Sequence, residues 1–220
     1  MKKYAGKMEG DISQALKNRK SSIKHDVRVP ICRENLANLL VYSYGLNSNK
    51  GEFHLTSVPS AGGRYPVYLY VFVFNVPDIE KGIYLWQPEE SQLSMVIRGD
   101  YREKLKDCLV LTGNKNDADR CSFAIVTTAM LSNTLMKYGD RGYRYLLIDA
   151  GHISQNLYLI CNLLGLSCRA LGGYYDDKLS HLIGADTEDE VVLLTHLFGK
   201  EHIPMKDQME ITDEEYIDSI

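Results

Sequence analysis

Runs of apolar residues alternate along this chain with segments whose apolar residues recur every three or four positions. Short apolar runs, continuous or alternating with polar residues, are typical of strands. They predict strands at residues 67–74, 82–86, 92–96, 123–129, 167–171 and 191–198. The second and third of these form a predicted hairpin, because residues 88–91 between them read PEES, a turn composition.

Helical spacing predicts helices at residues 11–22, 34–44, 101–111, 142–164 and 177–183. In the longest, Leu146, Ala150, Ile153 and Leu157 share one face, and Gly165 marks its end. Strands interspersed with helices predict a layered α/β domain. We expect one domain over residues 1–200, followed by an acidic C-terminal arm or tail at 201–220.

Composition narrows the class of protein. The 220 residues are 45% hydrophobic and 25% charged, as in ordinary globular domains. A net charge of −4 gives no basic field for nucleic acid or an anionic membrane. No signal peptide and no membrane-spanning run are predicted, so we expect a cytoplasmic protein. Five widely spaced cysteines without a Cys-x-x-Cys motif, and scattered histidines, predict reduced thiols and no metal site.

The first candidate for ligand chemistry is the loop of residues 59–66, which reads PSAGGRYP and runs directly into a predicted strand. Ser60 offers a hydroxyl group, and Gly62 and Gly63 lack the Cβ that would keep a planar ligand away from the backbone. The alternative is a loop-to-strand connection that binds nothing.

Four short motifs occur in order: this loop, GIY at 82–84, YRY at 143–145 leading to AGH at 150–152 and QN at 155–156, and LGG at 171–173. Together they resemble the nitroreductase superfamily of FMN-binding flavoproteins, and within it the azoline dehydrogenases of thiazole and oxazole peptide biosynthesis. The resemblance covers roughly residues 15–200. It implies an α+β fold with a central, mainly antiparallel sheet flanked by helices, a homodimer, and FMN as cofactor.

The same resemblance assigns residues to the FMN phosphate. Arg19 and Ser21, with Lys20 between them, match the phosphate-binding Arg-x-Ser, and Lys200 matches a second cation after the last strand. Ile23 stands where relatives often carry a basic residue. The alternative for the basic cluster is a solvated helix end that the helix dipole favours.

The flavin ring and ribityl chain are assigned to two glycine-containing segments. Ser60, Ala61, Gly62 and Tyr65 belong to the loop that touches them in the superfamily. Gly172 and Gly173 match the turn whose backbone N–H faces the ring, so a side chain at Gly172 is expected to block it. A turn that only ends a strand is the alternative.

Lys137 and Tyr138 match a Lys-Tyr pair that azoline dehydrogenases use in catalysis. Converting an azoline to an azole removes a proton from one ring carbon and a hydride from the other. Lys137 is the predicted base, which requires its pKa to fall through burial or a neighbouring cation. Tyr138 is predicted to orient the ring or donate a hydrogen bond. The alternative is an exposed loop ahead of the long helix.

We therefore expect an FMN-dependent dehydrogenase that acts on azoline-containing peptides beside a cyclodehydratase partner. Two other functions remain open from the sequence. One is an NAD(P)H-dependent reductase of nitro compounds or quinones. The other is a non-catalytic scaffold, flavin-binding or flavin-free, within a biosynthetic complex.

Overall fold

The computed structural model describes residues 1–22, 25–50, 53–185 and 187–201. Of the predicted acidic arm at 201–220, only Glu201 is among the described residues. Ile23, which bears on the predicted phosphate site, also lies outside them. The division into a domain at 1–200 and an arm at 201–220 stays a prediction.

The described part of the chain contains seven α-helices and eight strands. The helices are α1 Ile12–Asn18, α2 Arg33–Tyr44, α3 Arg102–Cys108, α4 Thr112–Arg120, α5 Leu131–Tyr138, α6 Gly142–Leu163 and α7 Asp176–Ile183. The strands are β1 Leu46–Lys50, β2 Phe53–Thr56, β3 Val67–Val73, β4 Gly82–Gln87, β5 Gln92–Arg98, β6 Phe123–Met130, β7 Ser167–Leu171 and β8 Glu190–Gly199.

Six strands form one sheet in the order β5-β4-β3-β6-β8-β7, and β1 and β2 form a separate two-stranded sheet. Every neighbouring pair in the large sheet is antiparallel. The α+β class with a central antiparallel sheet is therefore confirmed. The α/β class that interspersed helices and strands indicated is wrong, because the helices do not join parallel neighbours in the sheet.

The sheet has a hydrophobic core on each face, as β3 illustrates. Leu69 and Val71 pack into one core with α2 and α6, whereas Tyr70 and Phe72 pack into the other with α3, α4 and α7. This alternation follows from the two-residue period of a strand. The central β3 and β6 are buried on both faces, which is why their sequences read as continuous apolar runs.

Several predicted boundaries are wrong in ways that matter for the site. Helix α1 ends at Asn18, so Arg19 already has an extended backbone and the basic cluster follows the helix instead of ending it. The predicted helix at 101–111 is the shorter α3, and a second helix, α4, follows it. Helix α5 and the β1–β2 hairpin were not predicted.

Helix α6 is the longest element and crosses one face of the sheet. Its buried side chains are apolar apart from Asp149, which lies between Leu146 and Ile153. Among the described residues, no helix is long and apolar enough to cross a membrane. Helix α6 contacts both the 60–65 loop, through Asp149, and the 19–21 segment, through Tyr158.

Candidate active site

The 60–65 loop meets the end of α5 at Gly62. This glycine has a φ of +63°, and a Cβ built on it would lie 2.7 Å from Nζ of Lys137 and also against Oη of Tyr138. Lys137 Nζ lies 5.3 Å from the centroid of the Tyr138 ring. The Tyr138 ring packs edge-on against Tyr145, with 4.9 Å between centroids. The structure thus brings the predicted flavin-binding loop and the predicted catalytic pair together.

A buried carboxylate, Asp149 on α6, fixes the same loop. Ser60 Oγ donates a hydrogen bond to Asp149 Oδ2 at 2.5 Å and accepts one from the amide of Tyr65 at 2.9 Å. Burial raises the pKa of the Asp149 carboxyl, and hydrogen bonds from Ser60 and the Ala61 backbone oppose that rise. Asp149 therefore holds the start of the loop, and the Ser60 hydroxyl holds its end.

Asp149 is not among the site residues that the sequence predicts. Its partner Ser60 is 89 positions away, so no local spacing connects the two residues. The one sequence feature that could have identified Asp149 is its position, as a single acidic residue on the apolar face of the long helix α6. Such a residue requires a hydrogen-bond partner when it is buried.

Tyr158, nine residues further along α6, holds the predicted phosphate-binding residues. Its Oη lies 3.1 Å from Ser21 Oγ and accepts a hydrogen bond from the amide of Ala170 at 2.8 Å. The Arg19 guanidinium carbon lies 5.4 Å from the Tyr158 ring centroid, in the range of a cation–π contact. Arg19 and Ser21 therefore converge on one tyrosine that the sequence did not single out.

Of the two predicted lysines, Lys20 lines a neighbouring cavity of about 170 Å³, and Lys200 bonds to Gly165, which also lines it. Lys20 Nζ pairs with Glu201 at 2.9 Å, and Lys200 Nζ donates to the carbonyl of Gly165 at 2.7 Å. Lys20, Tyr158 and Gly165 all line this cavity. Both lysine contacts are exposed, so an anion could replace either partner at small cost.

Gly172 and Gly173 follow β7 directly. A Cβ at either position would meet no atom within 4 Å, so there is open space beside this backbone. The Gly173 carbonyl accepts a hydrogen bond from the amide of Val110 at 3.1 Å. Ala170, two residues before the turn, is the residue whose amide binds Tyr158. Strand β7 thus connects the open turn to the predicted phosphate-binding residues.

Lys137 itself is exposed in this chain, as is its neighbour Met136, at 88%. Arg141 and Arg144, two cations close to Lys137 in the sequence, are exposed as well. A single chain therefore does not provide the desolvation that a lysine base requires. A bound ligand or a second chain must cover Lys137 for it to act as predicted.

In the part of the chain that the structure describes, no three His, Cys, Asp or Glu side chains lie close enough together to hold an ion. The five cysteines are free, and four of them are buried.

Comparison with known proteins defines the class. The sequence profile of the nitroreductase family matches residues 18–200, so the chain belongs to the nitroreductase family. A relative from Methanocaldococcus jannaschii that is named as a nitroreductase is 29% identical over 166 residues, which cover 75% of this chain and 80% of the relative.

Two further relatives lead to a narrower group. The microcin B17-processing protein McbC of Escherichia coli is 26% identical over 64% of this chain, and the trifolitoxin-processing protein TfxB of Rhizobium leguminosarum is 29% identical over 53%. The matches span 53% of McbC and 32% of TfxB. These relatives support the McbC-like branch of the family.

Solved structures agree on the fold. A chain of the E. coli microcin synthetase McbBCD complex with truncated pro-MccB17 has a TM-score of 0.76 at 22% identity, covering 90% of this chain and 76% of that one. A structure from Exiguobacterium sibiricum, named as a nitroreductase in complex with FMN, has a TM-score of 0.60 at 17% identity. The match covers 94% of this chain and 99% of that one. At these identities the likeness establishes the fold alone.

Proposed function

We propose that this chain is an FMN-dependent dehydrogenase that oxidises thiazolines or oxazolines in peptides to the corresponding azoles. The observation that carries the proposal is the contact at Gly62, where the glycine loop meets Lys137 and Tyr138. McbC and TfxB, which are named for processing microcin B17 and trifolitoxin, support a peptide substrate.

The residues present fit a flavin mononucleotide. Arg19, Lys20, Ser21 and Lys200 supply cations and a hydroxyl donor for a phosphate group. The open space beside Gly172 accepts a flat ring. The Asp149 and Tyr158 attachments are nine residues apart on α6, about 14 Å along its axis, which suits a ligand with a ring at one end and a phosphate at the other. Bound FMN supplies a two-electron acceptor.

In this proposal the chain's own residues handle the proton and orient the ring. Lys137 Nζ takes the proton from one azoline carbon, and bound FMN would supply the acceptor for the hydride that leaves the other carbon, with dioxygen or another acceptor as the final oxidant. The Tyr138 hydroxyl donates a hydrogen bond to the ring heteroatom as charge develops. Asp149 and Ser60 keep the loop in place beside both groups. The bound substrate covers the exposed Lys137 and excludes water from the amine.

We also propose a homodimer and a cyclodehydratase partner that makes the azoline. Exposed apolar side chains on α6, among them Leu147 and Ile148, favour a second chain on that face. The microcin synthetase complex among the structural neighbours supports a multiprotein assembly. The cytoplasmic location stays a prediction.

The M. jannaschii relative favours a second candidate, an NAD(P)H-dependent reductase of nitro compounds or quinones. The two candidates differ in how the flavin is reduced. In the reductase, NADPH bleaches the flavin absorbance rapidly without oxygen. In the dehydrogenase, NADPH leaves it unchanged and an azoline peptide bleaches it.

The first measurement is an absorbance spectrum of the purified protein, followed by release and identification of the flavin. Flavin bands near ~370 and ~450 nm with FMN released support the cofactor. A protein that stays colourless after incubation with FMN contradicts both enzymatic candidates and leaves a scaffold.

Lys137→Ala then tests the catalytic assignment. We expect turnover of an azoline peptide to fall at least ~100-fold, the scale of a lost general base, with bound FMN unchanged. Lys104→Ala is the matched control, because Lys104 is also exposed and lies 4.9 Å from a tyrosine ring, on α3, which packs on the opposite face of the sheet from α6. Loss of FMN from the Lys137 variant would assign the residue a structural role.

A further inference from the structure

A second cavity, of about 250 Å³, lies at the Tyr65 end of the 60–65 loop. It is bounded by the end of that loop, the start of β3 and the turn between β4 and β5. Its principal lining residues are Tyr65, Tyr68, Leu85, Trp86, Glu89 and Glu90. Tyr65 also belongs to the loop assigned to the flavin, and the proposed chemistry uses none of the other five side chains.

The floor of this cavity is aromatic and its polar atoms are already satisfied. Trp86 is 1% exposed and its Nε1 donates to the Tyr44 carbonyl at 2.6 Å. The Tyr44 hydroxyl in turn donates to the Val67 carbonyl at 3.1 Å. The floor is therefore rigid and offers no uncompensated polar group. The aromatic surface that a ligand can reach belongs to the half-buried Tyr65 and Tyr68.

Tyr65 forms one wall and has an unusual backbone. Its φ is +45°, a conformation that costs a non-glycine residue roughly 1 kcal/mol or more. The hydrogen bond from its amide to Ser60 Oγ holds it there. Such strain is often retained at functional sites, and here it fixes an aromatic side chain at the cavity wall.

Two carboxylates, Glu89 and Glu90, lie at the mouth of the cavity. Both are exposed, and neither forms an ion pair within the described part of the chain. By contrast, Glu80 on the preceding loop pairs with Arg98 at 3.2 Å. Aromatic faces combined with carboxylates form the chemistry that recognises an ammonium or guanidinium group.

We propose that this cavity binds a lysine or arginine side chain of the peptide substrate, next to the ring that is oxidised. The proposal rests on the proposed function and adds the class of flanking residue. Tyr65 is three residues beyond Gly62, so at most about 11 Å of chain separate the cavity from the contact with Lys137. The basic residue is therefore expected within about three positions of the azoline.

Direct binding of short, fluorescently labelled peptides to the FMN-loaded protein tests the cavity without requiring turnover. One peptide carries arginine and its partner carries citrulline, which has the same shape without the charge. We expect the arginine peptide to bind about tenfold more tightly at low salt, with the difference shrinking as ionic strength rises. The double variant Glu89→Gln with Glu90→Gln is expected to abolish the difference.

The control is Asp78→Asn with Asp107→Asn, which removes the same charge from exposed positions that do not line the cavity. This variant should keep the preference for arginine. Equal binding of the two peptides to the unaltered protein would overturn the proposal. Loss of FMN affinity in the glutamate variant would overturn it too, because the cavity would then belong to the cofactor.

The same variants separate this proposal from the proposed function. An azoline peptide without a basic residue should be oxidised equally by the unaltered protein and the Glu89/Glu90 variant. If no azoline is oxidised but the arginine preference persists, the proposed reaction fails and the basic-residue site stands.

Discussion

The approach of the 60–65 loop to α5 depends on one backbone position. Gly62 has a positive φ, and the space where its Cβ would lie is already filled by the ends of Lys137 and Tyr138. Gly63 has a φ of +64°, nearly the same, but the space beside it is open. The two glycines therefore share their conformational requirement and differ only in contact with the predicted catalytic pair.

This difference gives a matched pair of substitutions. Gly62→Ala and Gly63→Ala should each lower the free energy of unfolding by roughly 1 kcal/mol, because alanine is strained at a positive φ. Only Gly62→Ala displaces the lysine and tyrosine, so we expect it to reduce azoline turnover at least tenfold more than Gly63→Ala. Urea unfolding and steady-state kinetics measure the two effects. Equal turnover in both variants would contradict a role for this contact.

Asp149 is a second residue whose effect can be isolated. Asp149→Ala leaves the Ser60 hydroxyl without its acceptor in a buried place, which costs about 1–3 kcal/mol. Asp149→Asn keeps an acceptor oxygen and removes the buried charge, so we expect it to recover most of that stability. Urea unfolding at pH 7 compares the three proteins. If asparagine is as destabilising as alanine, the hydrogen bond to Ser60 is not what holds the loop.

At the scale of elements, the sequence predicted those whose apolar pattern is strong. Strands β3, β4, β5, β6, β7 and β8 and the long α6 were located within one or two residues, because burial imposes their pattern. Helix α4, with the sequence TGNKNDADR, has almost no apolar face to detect. Helix α5 follows β6 without an intervening turn, so no local signal separates the two.

In the candidate site too, residues in a local sequence motif could be predicted, and residues without one could not. Motif order located the loop, the Lys-Tyr pair and the Arg-x-Ser, and the structure brings the first two into contact. Asp149 and Tyr158, which hold these motifs in place, could not be predicted. Their partners are far away in sequence, and a resemblance based on short motifs does not extend to supporting residues.

Helix α5 depends on a residue far along the chain. Asp189 Oδ1 accepts from the amide of Ser132 at 2.7 Å, and its Oδ2 accepts from the Ser132 hydroxyl at 2.5 Å. The Asp189 carbonyl also accepts from the amide of Leu131 at 2.7 Å. An eight-residue helix is unstable alone, so this cap stabilises the element that ends in Lys137 and Tyr138.

Asp189→Ala should therefore cost about 1–2 kcal/mol and loosen α5 selectively. Hydrogen exchange should show faster exchange of the α5 amides, with α7 as the internal reference. Azoline turnover should fall while FMN remains bound. Ser132→Ala is the control, because it retains the backbone amide that Asp189 accepts from and should have a smaller effect. Unchanged exchange in α5 would contradict the capping role.

At the scale of the whole molecule, two buried histidines connect the sheet to neighbouring segments, His25 from the loop after α1 and His196 from β8 to α6. His25 Nδ1 lies 2.6 Å from Ser167 Oγ on β7, and the residue pairs with Glu201 in an isolated bridge. His196 on β8 is fully buried, with Nε2 2.8 Å from Ser154 Oγ on α6. Burial lowers the pKa of His25 to about 4 and that of His196 to about 3.

These lowered pKa values predict loss of stability in acid. Between pH 6.5 and about 4 the unfolded chain binds protons that the folded chain excludes, so the free energy of unfolding should rise with pH. The slope should approach about 1.4 kcal/mol per pH unit for each histidine. Urea unfolding from pH 4.5 to 7.5 measures this slope, and we expect His196→Gln to reduce it. If the free energy of unfolding depends on pH equally in the variant and the unaltered protein, His196 does not contribute to the slope.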